Sequence, residues 1–264
     1  MLSLRFRLLL LPALLGALAL MSWGQGARAE SGLRPLLTGD QSRGWEAVGR
    51  LDLGPDAFCT GALIAPDLVL TAAHCLFARD GGRMIDPAEI RFSAGLRNGR
   101  AVAYRGARRV VVHPRYDYAQ ADRLDRVAWD VALVELDRPI RLPSIHPFAL
   151  DPAPQMGEEV GVVSYARDRA EAPSLQEVCS ILGRDHQVVL MSCSAEFGAS
   201  GAPVFVLRQG APHIVSVVSA KTEMGGRPLS LGTTVETVAA LKAALDAGEG
   251  GQIRAGAGAK FLRP

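Results

Sequence analysis

Three short stretches hold residues able to do nucleophilic chemistry. Leu70-Thr71-Ala72-Ala73-His74-Cys75 sets a histidine behind small residues at the end of a strand-like run, with a cysteine beside it that could tether it. Trp129-Asp130-Val131-Ala132-Leu133-Val134-Glu135-Leu136 opens an alternating apolar strand with an aspartate, and a carboxylate in such a partly buried place needs a partner. Phe197-Gly198-Ala199-Ser200-Gly201-Ala202-Pro203-Val204-Phe205 holds a serine between glycines just before a strand. Taken singly, each has an ordinary explanation: a structural or exposed histidine (His113, His146, His186 and His213 are the others), an aspartate capping a turn, and a glycine-rich turn.

Taken together they supply the parts of an acyl-transfer site. A serine hydroxyl is a poor nucleophile until a base accepts its proton. Histidine is the base suited to neutral pH, and an aspartate fixes its tautomer and stabilises its cation. Gly198 permits a backbone shape in which its N–H and that of Ser200 converge, and two such groups can hold a developing oxyanion. The order His74, Asp130, Ser200, with Ala at 202, disfavours the G-x-S-x-G elbow of the α/β-hydrolase esterases.

On Cys59-Thr60-Gly61-Ala62-Leu63-Ile64, Leu70 to Cys75, Asp130 to Leu133 and Gly198 to Val204, the chain resembles the trypsin/chymotrypsin-type serine peptidases. Within them it is similar to the bacterial secreted, V8/glutamyl-endopeptidase-like branch. The resemblance covers roughly Trp45 to Ala240, and the roles are the family's, carried onto these positions. It implies an all-β protein of two six-stranded antiparallel β-barrels with a C-terminal helix and the site in the cleft between them. It also implies a Cys59–Cys75 bridge, His74 and Asp130 from the first barrel, Ser200 from the second, and oxyanion donors at the N–H groups of Gly198 and Ser200. The expected partners are protein or peptide substrates, and no metal or organic cofactor is expected.

The chain departs from the family pattern before the nucleophile. Ala199 stands where many animal members carry an aspartate that pairs with a new N-terminus, so activation by that ion pair is not expected. Ser194, six residues before Ser200, stands where trypsin-like members carry an acidic specificity residue, which gives no support to an Arg/Lys preference. Ser216 and Ser219 both suit the strand that pairs with substrate backbone, and Ser219 is preferred. Lys221 then falls where a small residue is common, there to narrow the pocket, to attract an acidic side chain, or simply to lie in solvent.

The elements that must position these residues are mostly strands. Candidates are 47–53, 61–64, 68–70, 90–94, 110–113, 131–136, 160–165, 188–192, 203–207, 214–219 and 231–234, and one amphipathic helix would align Val235, Val238, Ala239, Leu241 and Leu245. The chain divides into a signal peptide (1–29), a candidate pro-segment (30–44), an N-terminal barrel (45–141), a Pro-rich linker (142–156), a C-terminal barrel with its helix (157–247) and a glycine-rich, frayed tail (248–264).

The leader has Arg5 and Arg7, an apolar run from Leu8 to Leu20, and Ala27-Arg28-Ala29 at a cleavage site, a run too short to span a bilayer. Cleavage there leaves 264 − 29 = 235 residues, secreted or periplasmic, with no membrane attachment after the leader is removed. In that oxidising setting Cys59, Cys75, Cys179 and Cys193 suggest two disulfides, with three connectivities open, of which the locally closed pairs are Cys59–Cys75 and Cys179–Cys193. A zinc site from Cys59, His74 and Cys75 is disfavoured by the absence of a C-x-x-C spacing.

With 29 Lys+Arg against 27 Asp+Glu, a net charge of +2 and no basic stripe, the chain gives no reason to expect a nucleic-acid partner. A 21% charged, 48% hydrophobic composition is globular, and the expected protein is a monomer. The competing function is a catalytically silent binding module of the same fold.

Overall fold

The computed structural model describes residues 32–79, 82–152 and 154–248, and the backbone of residues 251–252. The expected signal peptide and most of the tail lie outside the described residues.

Short apolar segments punctuated by turns pair into two closed sheets. The first comprises β1 (Val48–Leu53), β2 (Phe58–Ala65), β3 (Leu68–Thr71), β4 (Ile90–Ala94), β5 (Ala103–Val112) and β6 (Ala132–Leu136). Their order is β5-β4-β1-β2-β3-β6, and β5 pairs back onto β6. The second comprises β7 (Glu159–Ala166), β8 (Arg169–Asp185), β9 (Val188–Met191), β10 (Pro203–Arg208), β11 (Ala211–Met224) and β12 (Arg227–Thr234). Here the order is β8-β9-β12-β11-β10-β7, closed by β8 on β7. All twelve pairings are antiparallel. Closure leaves no open sheet edge in either six-stranded ring, and the all-β double-barrel expectation holds.

The first barrel is filled by inward side chains such as Leu51, Leu63, Leu70, Phe92 and Leu133, and the second by Val189, Met191, Val204 and Val215, all fully buried. Val163, Tyr165 and Phe205 of the second barrel join the first barrel's core cluster, so apolar packing is continuous across the cleft floor.

Among the described residues three α-helices complete the fold: α1 (Gly39–Ser42), α2 (Arg123–Ala128) and α3 (Val238–Asp246). α3 is the expected C-terminal helix. It buries Val238, Leu241 and Leu245, three and four residues apart on one face, whereas Ala239 is exposed and Val235 precedes the helix.

Of the candidate pro-segment 30–44, residues 34–44 are built into the folded body. Arg34–Pro35 pair with Leu175 and Ser174 of β8, and Leu36 is fully buried. The Arg97 guanidinium reaches the buried Ser42 hydroxyl at 2.6 Å. The inter-barrel stretch is equally anchored: Phe148 donates its N–H to Leu63 O, and its ring packs against Trp45 and Phe205. Residues 149–150 then run parallel to β11. Gly251–Gln252, in the stretch expected to fray, run parallel to Val111 and Val112 of β5.

Candidate active site

The disulfides Cys59–Cys75 and Cys179–Cys193 are both present, at sequence separations of 16 and 14. Each closes a loop worth about 3 kcal/mol by the chain-entropy account. The first ties β2 to the 3-10 turn Ala73–Leu76, which follows β3 and carries His74. Cys59, His74 and Cys75 lie together, but the two sulfurs are bonded to each other and have no thiolate to offer a metal.

Asp130 sits at the corner between α2 and β6, its N–H donating to Val127 O at 3.1 Å. Its side chain is buried and accepts three hydrogen bonds: His74 N–H at 2.7 Å, His74 Nδ1–H at 2.6 Å, and the Ser219 hydroxyl from β11. Nδ1 is thereby committed, and Nε2 is the imidazole nitrogen without an acid partner. Burial pushes the His74 pKa down, but the charge and hydrogen bond of Asp130 outweigh it against minor opposition from Arg126 and Arg79. The net shift is upward from 6.5.

Ser200 lies on the loop between Glu196 and β10. Gly198 (φ +102°) and Gly201 (φ +73°) both occupy the left-handed region. A Cβ at 198 would fall 2.5 Å from the Phe58 ring, and one at 201 would fall 2.1 Å from Thr71 Oγ1. Only glycine fits either place, which explains why the serine is flanked as it is.

The loop's carbonyls are each taken: Phe197 O by Arg167 N–H (2.7 Å), Gly198 O by the Thr60 hydroxyl (2.9 Å), Ala199 O by Ala202 N–H (3.0 Å) and Ser200 O by Thr60 N–H (2.9 Å). Among the described residues, the N–H groups of Gly198 and Ser200 have no acceptor. A planar trans peptide sends its N–H opposite its C=O, so Phe197 O on Arg167 N–H and Ala199 O on Ala202 N–H fix the directions of the Gly198 and Ser200 N–H groups.

His74 and Ser200 share the walls of two openings of the cleft, of about 530 and 620 Å³. Among the described residues no hydrogen bond joins the Ser200 hydroxyl to the imidazole; catalytic contacts of this kind commonly tighten only with substrate in place. Ser219 and Lys221 lie on the larger opening, Lys221 Nζ being 3.6 Å from Glu196 Oε2 and 4.5 Å from the Phe197 ring centroid. Ser194 does not line either opening, because its N–H and hydroxyl turn to Gln176 Oε1. Ser216 is fully buried, with its hydroxyl on Thr233 O.

Sequence reasoning did not single out Thr60 or Arg167, because their partners come from distant segments. Thr60 at least stood inside the quoted Cys59–Ile64 motif.

The family model for Trypsin matches residues 25–241. Among curated proteins, the chain is 31% identical over 106 residues to the suppressor of tumorigenicity 14 protein homolog of Bos taurus, covering 38% of this chain and 12% of that protein. It is 29% identical over 176 residues to a trypsin of Simulium vittatum, covering 56% of this chain and 66% of that one. The chain thus spans less than two thirds of each of these relatives. Among solved structures, a Glu endopeptidase in complex with MPD superposes with a TM-score of 0.66 at 18% identity, over 84% of this chain and 98% of that chain.

Proposed function

The chain belongs to the trypsin family, and from that premise we propose that it is an exported serine endopeptidase working through His74, Asp130 and Ser200. The observation that carries this reading is the buried Asp130 holding Nδ1 of an imidazole that shares a cleft wall with Ser200, beside two N–H groups with no acceptor among the described residues. His74 takes the Ser200 proton as Oγ attacks a peptide carbonyl. The N–H groups of Gly198 and Ser200 receive the oxyanion, His74 protonates the leaving amine, and water repeats the cycle on the acyl-enzyme. The Ser219 hydroxyl acts through Asp130 and adds a third donor to the carboxylate. The two disulfides and the leader pattern support export into an oxidising compartment.

A fluorophosphonate probe tests this directly. Labelling of Ser200 that is lost when His74 is replaced by Ala is the expected result. An unlabelled, folded wild-type chain would instead favour the silent binding module.

The cleft's charge supports a substrate class. Arg79, Arg123, Arg126 and Lys221 all line the 620 Å³ opening, and Glu196 is the one carboxylate among the described residues on that wall. Peptides with acidic side chains beside the scissile bond fit this surface. In a library of quenched peptides, Asp- and Glu-containing sequences should be cleaved about tenfold faster than Lys/Arg counterparts, with the gap closing as salt rises. A strong basic preference would refute this substrate class.

A further inference from the structure

The hole that receives the oxyanion is only as good as the loop that shapes it, and Ala199 brings no charge to hold that loop. Ala199 is buried and neutral. Thr60, on β2 of the opposite barrel, has every polar backbone and side-chain group engaged. Its N–H donates to Ser200 O at 2.9 Å, and its hydroxyl donates to Gly198 O at 2.9 Å while accepting from Tyr165 N–H at 3.0 Å. Its carbonyl accepts the Thr71 hydroxyl at 2.9 Å. Thr60 has no exposed surface, so water cannot substitute for the hydroxyl. The two carbonyls it grips lie on either side of Ala199, in peptides that directly adjoin the ones carrying the Gly198 and Ser200 N–H groups.

We propose that Thr60 is a positioning residue that clamps the nucleophile loop from the first barrel and so preforms the oxyanion site. The proposal rests on the reading of Ser200 as nucleophile and goes beyond it, because it names what makes the hole without a charged anchor in the loop itself. Loss of the hydroxyl strips Gly198 O of its Thr60 donor and leaves that peptide held, among the described residues, only at its other end, by Ala199 N–H on Glu196 O at 2.9 Å. The adjoining peptides can then rotate together, and the hole opens while the substrate-binding walls stay where they are. The signature is therefore a defect in kcat and in oxyanion capture, with little change in ground-state binding.

The test compares the full chain with Thr60→Val, which keeps the shape and removes the hydroxyl, and Thr60→Ser, which keeps the hydroxyl. Thr60→Val should lower kcat by about 30- to 100-fold with KM changed less than about twofold, somewhat below the loss of a whole oxyanion donor. A peptide aldehyde, which forms a tetrahedral adduct, should lose affinity by a similar factor, while a product peptide binds as before. Amide hydrogen exchange across 196–202 should quicken by about tenfold or more, with Tyr165, whose N–H the hydroxyl accepts, the one further amide affected. Thr60→Ser should stay within about threefold of wild type in every readout. Thr60→Ala takes the place of Val if the latter does not fold.

The clamp is refuted if removing the hydroxyl leaves kcat and loop exchange unchanged, or if Ser is as impaired as Val. A wild-type chain that neither hydrolyses peptides nor takes the probe overturns the peptidase reading separately, and the exchange comparison of Val with Ser still decides the clamp.

Discussion

Replacing Ser200 with alanine should lower kcat/KM by about 10⁴- to 10⁶-fold and leave the melting temperature within about 2 °C of wild type. The two halves of this expectation come from different atoms. The reaction uses Oγ, and the fold uses the backbone. Ser200 is held by its carbonyl on Thr60 N–H and by its neighbours' carbonyls and glycines, all of which alanine keeps. Its hydroxyl makes no hydrogen bond among the described residues, and the side chain is only partly buried, so its loss strands no buried polar partner. Some rate enhancement over water survives such a change, because the N–H pair and the cleft remain. Initial-rate kinetics on one cleaved peptide, with thermal denaturation of both proteins, check it. Retention of more than about a hundredth of the activity would remove Ser200 from the nucleophile's role.

Local chemistry explains which parts of this arrangement were readable from residues alone. β4 was read with its observed bounds of Ile90–Ala94, because Ile90, Phe92 and Ala94 alternate with Arg91 and Ser93 between turns. β8 was missed altogether. Its seventeen residues, Arg169–Asp185, carry Pro173 and several charges, and its pairing with β7 shifts register between 169 and 174 and between 176 and 179. Each shift breaks the alternation that a period-two pattern depends on. α2 was missed for another reason: six residues are too few to show a helical period, and the signal was Asp122, whose side chain caps Leu124 and Asp125 N–H. That omission hid the corner on which Asp130 is placed. The contact of Ser194 with Gln176 Oε1 was not legible either, because Gln176 lies on β8, eighteen residues earlier in the chain.

Asp130→Asn is expected to reduce kcat by about 10⁴-fold with the chain still folded, and to move the acid limb of the rate profile in a stated direction. Asp130 receives three donors on two oxygens: His74 N–H, His74 Nδ1–H and the Ser219 hydroxyl. An asparagine offers one oxygen and one NH₂. If the NH₂ faces the backbone N–H of His74, two donors oppose each other in a buried site. The less costly arrangement keeps the oxygen there and points the NH₂ at Nδ1, which must then accept. The ring proton moves to Nε2, and the nitrogen that should take the Ser200 proton no longer can. The pH dependence follows from the same contacts. The wild-type base works only when His74 is neutral, and its pKa is raised from 6.5, so kcat/KM should fall as pH drops through a midpoint above 6.5. Both raising contributions come from Asp130, whereas burial, Arg126 and Arg79 act downward. Removing the carboxylate therefore leaves only lowering influences, and the variant's small residual activity should persist to lower pH, with its acid midpoint below 6.5. A midpoint that stays where it was, or a kcat reduced less than about tenfold, would show that His74 and Asp130 do not act as a coupled base.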